Sequence, residues 1–235
     1  MQARKLLRYL FVFSILSGVL AACQFAEIRT FEEDAIVKEG FRADQYVTNK
    51  WESEIVPTYV ENAYELGPLL AELETDSSLI TERGNQESEG EDWYFMVKSE
   101  ARIVVFENSG LFPEYQVDLP PYDGETDILL ELGPRISPTL GFAVRDAPGT
   151  ISFNDFINQT EHGAVATELL NQAKVEIANA FGLADPEMIM ELDPADYEGR
   201  TITFVGAMGL KEGRDMSRQM WSNIEVVPLQ LEIME

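Results

Sequence analysis

The order in which the hydrophobic pattern changes constrains the fold of this 235-residue chain more than any single motif does. From residue 43 to about residue 75, apolar side chains recur every three to five positions, as on one face of a helix. From residue 93 the period changes to two, which is typical of half-buried strands. A helical stripe returns from an N-cap at Asn154 to about residue 181. Strand-like runs cover residues 93–106, 115–119, 126–132, 140–145, 201–207 and 224–233.

Several strands, one long helix and two further strands follow each other in the order of a small closed barrel of the OB type. We predict an α+β fold with two parts. A small OB-like antiparallel β-barrel domain with one long helix packed on its strands covers residues 91–235, and an N-terminal helical subdomain covers residues 43–90. Pro57 is best placed in the first turn of a helix, which predicts two helices at an angle in this subdomain. Residues 84–92 contain no apolar side chain and mark a loop or domain boundary.

The N-terminus has the layout of a secretory signal peptide. Three basic residues precede an apolar run over residues 9–22, and this run is shorter than the roughly 20 residues that span a bilayer. It ends in Leu20-Ala21-Ala22-Cys23, which resembles the bacterial lipobox, whose cysteine becomes the acylated first residue of the mature protein. We predict a signal peptide over residues 1–22, a lipid anchor with palmitate-type chains at Cys23, and a tether spacer over residues 23–42. The alternative is an ordinary signal peptide with a cysteine near its cleavage site.

The charge of the chain excludes several classes of function. The whole chain has a formal charge of −25, and removal of residues 1–22, which contain three basic residues and no acidic one, leaves −28. Nucleic acid is therefore not expected as a partner, because binding to phosphates depends on Lys and Arg. The acidic stretches lack the spacing of a calcium loop, and we expect no metal and no cofactor. Cys23 is the only cysteine, so its acylation leaves no thiol for disulfides or zinc.

Arg145 and Asp146 lie at the end of the predicted strand over residues 140–145. Successive side chains of a strand point to opposite faces, so these two residues are predicted not to pair with each other. One interpretation is structural: Arg145 binds a carboxylate or a set of loop carbonyls with its five N–H donors. The other is functional, with Arg145 presented at the barrel mouth to a sugar, a phosphate or a carboxylate.

A polar cluster occupies the start of the predicted long helix. Asp155, Asn158 and His162 are spaced three and four residues apart and would share one helix face. Together with Asn154 and Gln159 they offer the donors and acceptors that sugar hydroxyls require. The structural alternative is that Asn154 caps the helix, Asp155 complements its dipole, and Asn158 and Gln159 satisfy nearby backbone groups.

The region from residue 133 to residue 159 contains Gly133-Pro134, Ala143-Val144-Arg145-Asp146-Ala147 and Ile151-Ser152-Phe153-Asn154-Asp155-Phe156-Ile157-Asn158-Gln159. With these motifs the chain resembles a family of predicted bacterial periplasmic lipoproteins that is classed as a domain of unknown function. The resemblance covers nearly the whole chain. It implies a helical subdomain beside an OB-like barrel, and genes that lie with sugar ABC transporters of the ribose or xylose kind.

Three functions from different classes are compatible with the sequence. The leading hypothesis is a lipid-anchored accessory protein on the periplasmic side of the envelope, assisting a sugar ABC transporter, with the inner or outer membrane left open. The second is a binding module for a small ligand, either a sugar or an anion, that uses Arg145 and the face from Asn154 to His162. The third is an envelope carbohydrate hydrolase. The chain has none of the common catalytic motifs, and we therefore expect no enzymatic activity and assign no catalytic residue.

Overall fold

The computed structural model describes residues 40–108, 112–211 and 224–234. Cys23, the signal peptide and most of the spacer lie outside the described residues. The α-helices are α1 Ala43–Lys50, α2 Val56–Asn62, α3 Leu66–Thr75, α4 Leu79–Arg83, α5 Pro138–Asp146 and α6 Gln159–Ala180. The strands are β1 Tyr64–Glu65, β2 Trp93–Glu107, β3 Glu114–Asp118, β4 Ile128–Glu131, β5 Thr201–Leu210 and β6 Glu225–Ile233. No helix in the described ranges is both long and apolar enough to cross a membrane.

Five strands close into a barrel in the order β2-β3-β4-β6-β5, and β5 pairs again with β2. The pairs are antiparallel except for β4 with β6, and for the two-residue β1, which adds to β2 in parallel. Closure leaves few unpaired edges, which is the advantage of this architecture. Gly206 lies at an irregularity between β5 and β6, where a Cβ atom would collide with the backbone oxygen of Val227. The OB-like barrel predicted from the sequence is confirmed.

The N-terminal helices follow the predicted helical stripe. Between residues 43 and 62, buried side chains recur every four residues at Val47, Trp51, Ile55 and Tyr59, and Val56 is buried as well. A stripe of this spacing drifts by about 40° per step around an ordinary α-helix. The π-helical segment Trp51–Ile55 between α1 and α2 has wider turns, which keep the four side chains on one face. The proline in the first turn of α2 is where the sequence predicted it.

The prediction of a strand over residues 140–145 is wrong, because this segment is the helix α5. Pro138 lies in its first turn, where a missing N–H has no cost. The buried residues Leu140, Ala143, Val144 and Ala147 follow the spacing of a helix rather than that of a strand. A Cβ atom on Gly141 would lie 2.9 Å from the carbonyl oxygen of Ala166, so this glycine allows α5 to pack closely on α6.

The long helix begins later than the sequence predicted. Residues Phe153–Asp155 form a separate 3-10 turn capped by Ser152, and α6 begins at Gln159. The side chain of Asn158, not that of Asn154, caps α6 by accepting the backbone N–H of Glu161 at 3.0 Å. The helix packs on β6, as expected, and also on α5, which was not predicted. The side chains that it buries include Val165, Ala166, Leu169, Leu170, Ala173 and Ile177.

The two asparagines provide a direct test of where α6 begins. Asn158→Ala is expected to lower the free energy of unfolding by about 1 kcal/mol, because it removes the acceptor for an N–H in the first turn. Asn154→Ala is expected to change it by less than about 0.5 kcal/mol, because this exposed side chain caps no helix. Urea denaturation of both variants measures the difference. The reverse ranking would place the cap at Asn154.

From Arg42 onward the chain clusters into one compact unit. Within it α2, α3 and α4 contact β2 of the barrel, and α1 packs on α6. The buried hydroxyl of Tyr59 donates a hydrogen bond to the carbonyl oxygen of Val144 at 2.9 Å, which ties α2 to α5. The division of the chain at residues 90 and 91 into a helical subdomain and a barrel domain stays a prediction.

Candidate ligand pocket

A pocket of about 480 Å³ lies where the acidic loop over residues 84–92 meets α5 and the start of α6. We call it the Arg145 pocket. Its lining residues are Glu87, Ser88, Glu91, Phe142, Arg145, Phe153, Gln159, His162 and Gly163. A second cavity of about 500 Å³ lies between the end of α6 and strands β5 and β6. The Arg145 pocket is distinguished from it by two buried polar side chains in its wall, those of Arg145 and His162.

Four segments of the chain bring the lining together, and one of them is the 3-10 turn that contains Phe153. Phe142 and Arg145 are one turn apart on α5, and the first turn of α6 supplies Gln159, His162 and Gly163. The acidic loop is held against them by hydrogen bonds. Glu87 accepts the backbone N–H of Phe153 through Oε1 at 2.7 Å. Nearby, the amide of Asn85 donates to the carbonyl oxygen of Ala147 at 2.6 Å.

Arg145 and Asp146 form a buried ion pair, which corrects the prediction that they do not pair. Arg145 Nε and Nη2 donate to the two carboxylate oxygens of Asp146 at 2.6 and 2.7 Å, and the two residues are only 4 and 3% exposed. Arg145 Nη1 also donates to the carbonyl oxygen of His162 at 3.3 Å. The prediction failed because these residues end a helix, where successive side chains are about 100° apart rather than opposite. Three of the five N–H donors of Arg145 therefore serve the fold, as the structural interpretation proposed.

His162 is buried between two aromatic rings and lines the pocket. Its ring lies 5.6 Å from that of Phe153 and 5.3 Å from that of Phe156. Burial lowers the pKa of His162, with the charge of Arg145 as the next cause, so the imidazole is neutral near pH 7. Nε2 has no hydrogen-bond partner among the residues that the structure describes. The backbone of Ile151 forms a hydrogen bond with the ring, and because Nε2 has no partner we assign this bond to Nδ1. The unpartnered nitrogen is then a hydrogen-bond acceptor.

The pocket has more negative than positive charge. Glu87 is half-buried, and Glu91 lies at the more exposed rim. Partial burial is the main cause that raises the pKa of Glu91, and the nearby Asp146 carboxylate adds to it. Neither glutamate has an ion-pair partner in the described part of the chain, and no group of three or more potential metal ligands occurs there. The positive charge of Arg145 is itself engaged by Asp146.

The residues singled out from the sequence divide into two groups. Arg145, Gln159 and His162 line the pocket. Asp146 does not line it but forms the ion pair with Arg145. The other three do not line it. Asp155 accepts the backbone N–H of Ser152 at 3.0 Å, Asn158 caps α6, and Asn154 is exposed. The expected common face of Asp155, Asn158 and His162 does not form, because these residues belong to a 3-10 turn, a cap and a helix.

Six of the nine residues that line the pocket were not among the candidates from the sequence. Phe142 and Phe153 were not among the candidates. In the fold, these two large apolar side chains are 39 and 42% exposed. Glu87 and Glu91 were noticed only as part of a loop without apolar residues. An exposed aromatic residue and a loop carboxylate have no local pattern that separates a pocket from open surface.

The sequence matches the model of one protein family. The model of a family described as "Predicted periplasmic lipoprotein (DUF2291)" matches residues 13–232. The chain belongs to this family. It is a lipid-anchored protein on the periplasmic side of the cell envelope, as the sequence predicted.

A solved structure confirms the fold. The chain is similar to an OB-fold protein from Thermotoga maritima with a TM-score of 0.63 and 19% sequence identity, over 83% of this chain and 99% of the other. No curated protein matches the sequence. At 19% identity, the similarity shows that the two proteins share a fold.

Proposed function

We propose that this lipoprotein is a non-catalytic, membrane-tethered module that binds a small polar ligand in the Arg145 pocket. The observation that carries the proposal is His162, whose buried Nε2 has no hydrogen-bond partner among the described residues although the side chain lines the pocket. Buried polar atoms are nearly always hydrogen-bonded. An unpartnered acceptor on a side chain that lines a pocket therefore favours a bound ligand that donates a hydrogen bond.

The rest of the lining supports a small ligand with hydrogen-bonding groups and an apolar side. The Gln159 amide and the Ser88 hydroxyl can donate and accept, and the exposed faces of Phe142 and Phe153 offer apolar surface. Of the two ligand classes predicted from the sequence, a sugar-like ligand suits this lining better than an anion. An anion would meet the carboxylates of the acidic loop, and the charge of Arg145 is already balanced by Asp146.

Gly163 allows a test that blocks the pocket while keeping the fold. A Cβ atom at this position would meet nothing within 4 Å, and leucine is a better helix former than glycine. The full chain with Cys23→Ser, which lacks the acylation site, is dialysed against a low-mass extract of the periplasm, and retained compounds are identified by mass spectrometry. We expect at least one compound to be retained by this protein and lost when Gly163→Leu is added.

The matched control for Gly163→Leu is Val175→Leu, an exposed position about three turns further along α6 and outside the pocket. This variant should retain the compound at an unchanged level. The proposal fails if no compound is retained, or if retention survives in Gly163→Leu. Equal melting temperatures of the three proteins establish that any loss comes from the pocket.

The two other functions considered from the sequence have less support in the geometry. The association with a sugar ABC transporter stays a prediction, and co-purification of a transporter component with the wild-type lipoprotein from solubilised membranes would test it. An envelope carbohydrate hydrolase would need a catalytic carboxyl group, and the exposed acid of the predicted polar cluster is Asp155. Its carboxylate caps the 3-10 turn and does not line the Arg145 pocket.

A further inference from the structure

We infer that the ligand of the Arg145 pocket is a small organic cation with an ammonium group, amino sugars included. The inference rests on the proposed function and narrows it to one class of ligand. Two independent features of the pocket support it. One is the excess of negative charge in the wall, and the other is the unpartnered acceptor on the buried His162.

The charges of the wall do not balance within the described residues. The bidentate pair of Arg145 and Asp146 is neutral as a unit, since the guanidinium donates to both carboxylate oxygens at 2.6 and 2.7 Å. Glu87 and Glu91 then leave two negative charges without an ion-pair partner in the part of the chain that the structure describes. A cation in the pocket would supply the missing positive charge, whereas a neutral polyol would not.

The hydrogen-bonding and aromatic groups suit the same class. An ammonium N–H can donate to His162 Nε2 and to a carboxylate at the same time. Aromatic faces attract cations, and the Arg145 guanidinium already lies 5.1 Å from the centre of the Phe142 ring. Phe153, which is 42% exposed, offers a second ring at the pocket. The formal charge of −25 on the chain would also attract cations from a distance.

Pairs of compounds that differ only in charge test the inference. Ethanolamine, whose ammonium group has N–H donors, and its neutral analogue ethylene glycol form one pair, and glucosamine and glucose form the other. Each is titrated calorimetrically into the full chain carrying Cys23→Ser. In at least one pair we expect the cation to bind about ten-fold more tightly than its neutral partner, and this preference to shrink in about 0.5 M NaCl.

Glutamine variants connect the preference to the pocket. Glu87→Gln with Glu91→Gln keeps the acceptor oxygens and removes the charges, so the preference for the cation should disappear. Glu89→Gln is the matched control, because this exposed residue belongs to the same loop but does not line the pocket. It should leave the preference unchanged.

The outcomes separate this inference from the function on which it rests. The inference of a cationic ligand is overturned if neutral compounds bind as tightly as the cations, or if the compound recovered from the periplasmic extract is neutral or anionic. Either result leaves the binding function intact. The inference is also overturned if no cation binds better than the neutral compound of its pair, or if the preference for the cation survives in the double glutamine variant. Cation binding that survives in Gly163→Leu lies outside the pocket and overturns the inference, while the extract experiment still decides the function.

Discussion

Arg145→Met is expected to lower the free energy of unfolding by about 3 to 5 kcal/mol. The guanidinium is the ion-pair partner of Asp146, whose side chain is only 1% exposed, and methionine would leave that carboxylate buried without a counter-charge. It would also remove the hydrogen bond from Nη1 to the carbonyl oxygen of His162. Chemical denaturation of the purified full chain with Cys23→Ser measures the loss.

Two further variants show whether the buried charge is the cause. Arg145→Met combined with Asp146→Asn removes both charges and should be less destabilising than Arg145→Met alone. Lys50→Met breaks a half-exposed pair with Glu54 on the N-terminal helices and should cost no more than about 1 kcal/mol. A loss in the Arg145 variant as small as that of Lys50→Met would contradict a structural role of the buried pair.

The large effect on stability also determines how Arg145 can be used in functional experiments. A binding defect of an Arg145 variant would be difficult to separate from partial unfolding. The pocket is better tested at Gly163 and at the glutamates of the acidic loop, whose substitutions leave the Arg145–Asp146 pair in place.

Glu131→Gln is expected to stabilise the protein at about pH 8 by about 2 to 3 kcal/mol. Glu131 is only 2% exposed, and burial is the main cause that raises its pKa to about 7, with the charges of Glu225 and Glu114 also raising it. The backbone N–H of Ser137, which donates to Glu131 Oε2 at 2.6 Å, opposes this shift. Glutamine keeps an acceptor for that N–H and has no charge to bury.

The sign of the effect follows from where the proton binds more tightly. The raised pKa means that the folded protein holds the Glu131 proton up to about pH 7, while the unfolded chain loses it near the ordinary value of 4.5. The wild-type protein therefore loses stability as the pH rises between these two values. Below about pH 4.5 both states are protonated, and the advantage of Glu131→Gln should disappear.

Denaturation at several pH values between about 4 and 8 checks this prediction. Glu74→Gln, at an exposed position of α3, is the control and should differ from the wild type by less than about 0.5 kcal/mol throughout. A stabilisation by Glu131→Gln that does not change with pH would mean that packing, rather than ionisation, is responsible.

The barrel was predictable because apolar and polar side chains alternate along its strands. Five of the six predicted strands occur, with β2 and β5 extending slightly beyond the predicted runs. The sixth, over residues 140–145, was misassigned because a short apolar run has no clear period. The proline at its start and the contact of Gly141 with α6 make it a helix. Register, the parallel pair of β4 with β6, and closure depend on contacts that local patterns do not encode.

The candidate site could be predicted only in part. Arg145, Gln159 and His162 were selected from one continuous stretch of sequence, and they do line one pocket. Asn154, Asp155 and Asn158 belong to the same stretch but serve turns and caps. The choice between these roles depends on which residue begins α6, and element boundaries are the least certain part of any sequence-based prediction.

The sequence by itself determined the location of this protein, its fold class and its strongly acidic character. The lipobox, the hydrophobic periods and the counts of charged residues are local or additive properties, so they can be read without coordinates. Only the tertiary structure decided that Arg145 pairs with Asp146 and that the acidic loop over residues 84–92 forms a wall beside His162. These contacts depend on helix geometry and on segments more than 50 residues apart, such as Glu87 and Phe153, whose meeting is fixed by the packing of the whole chain.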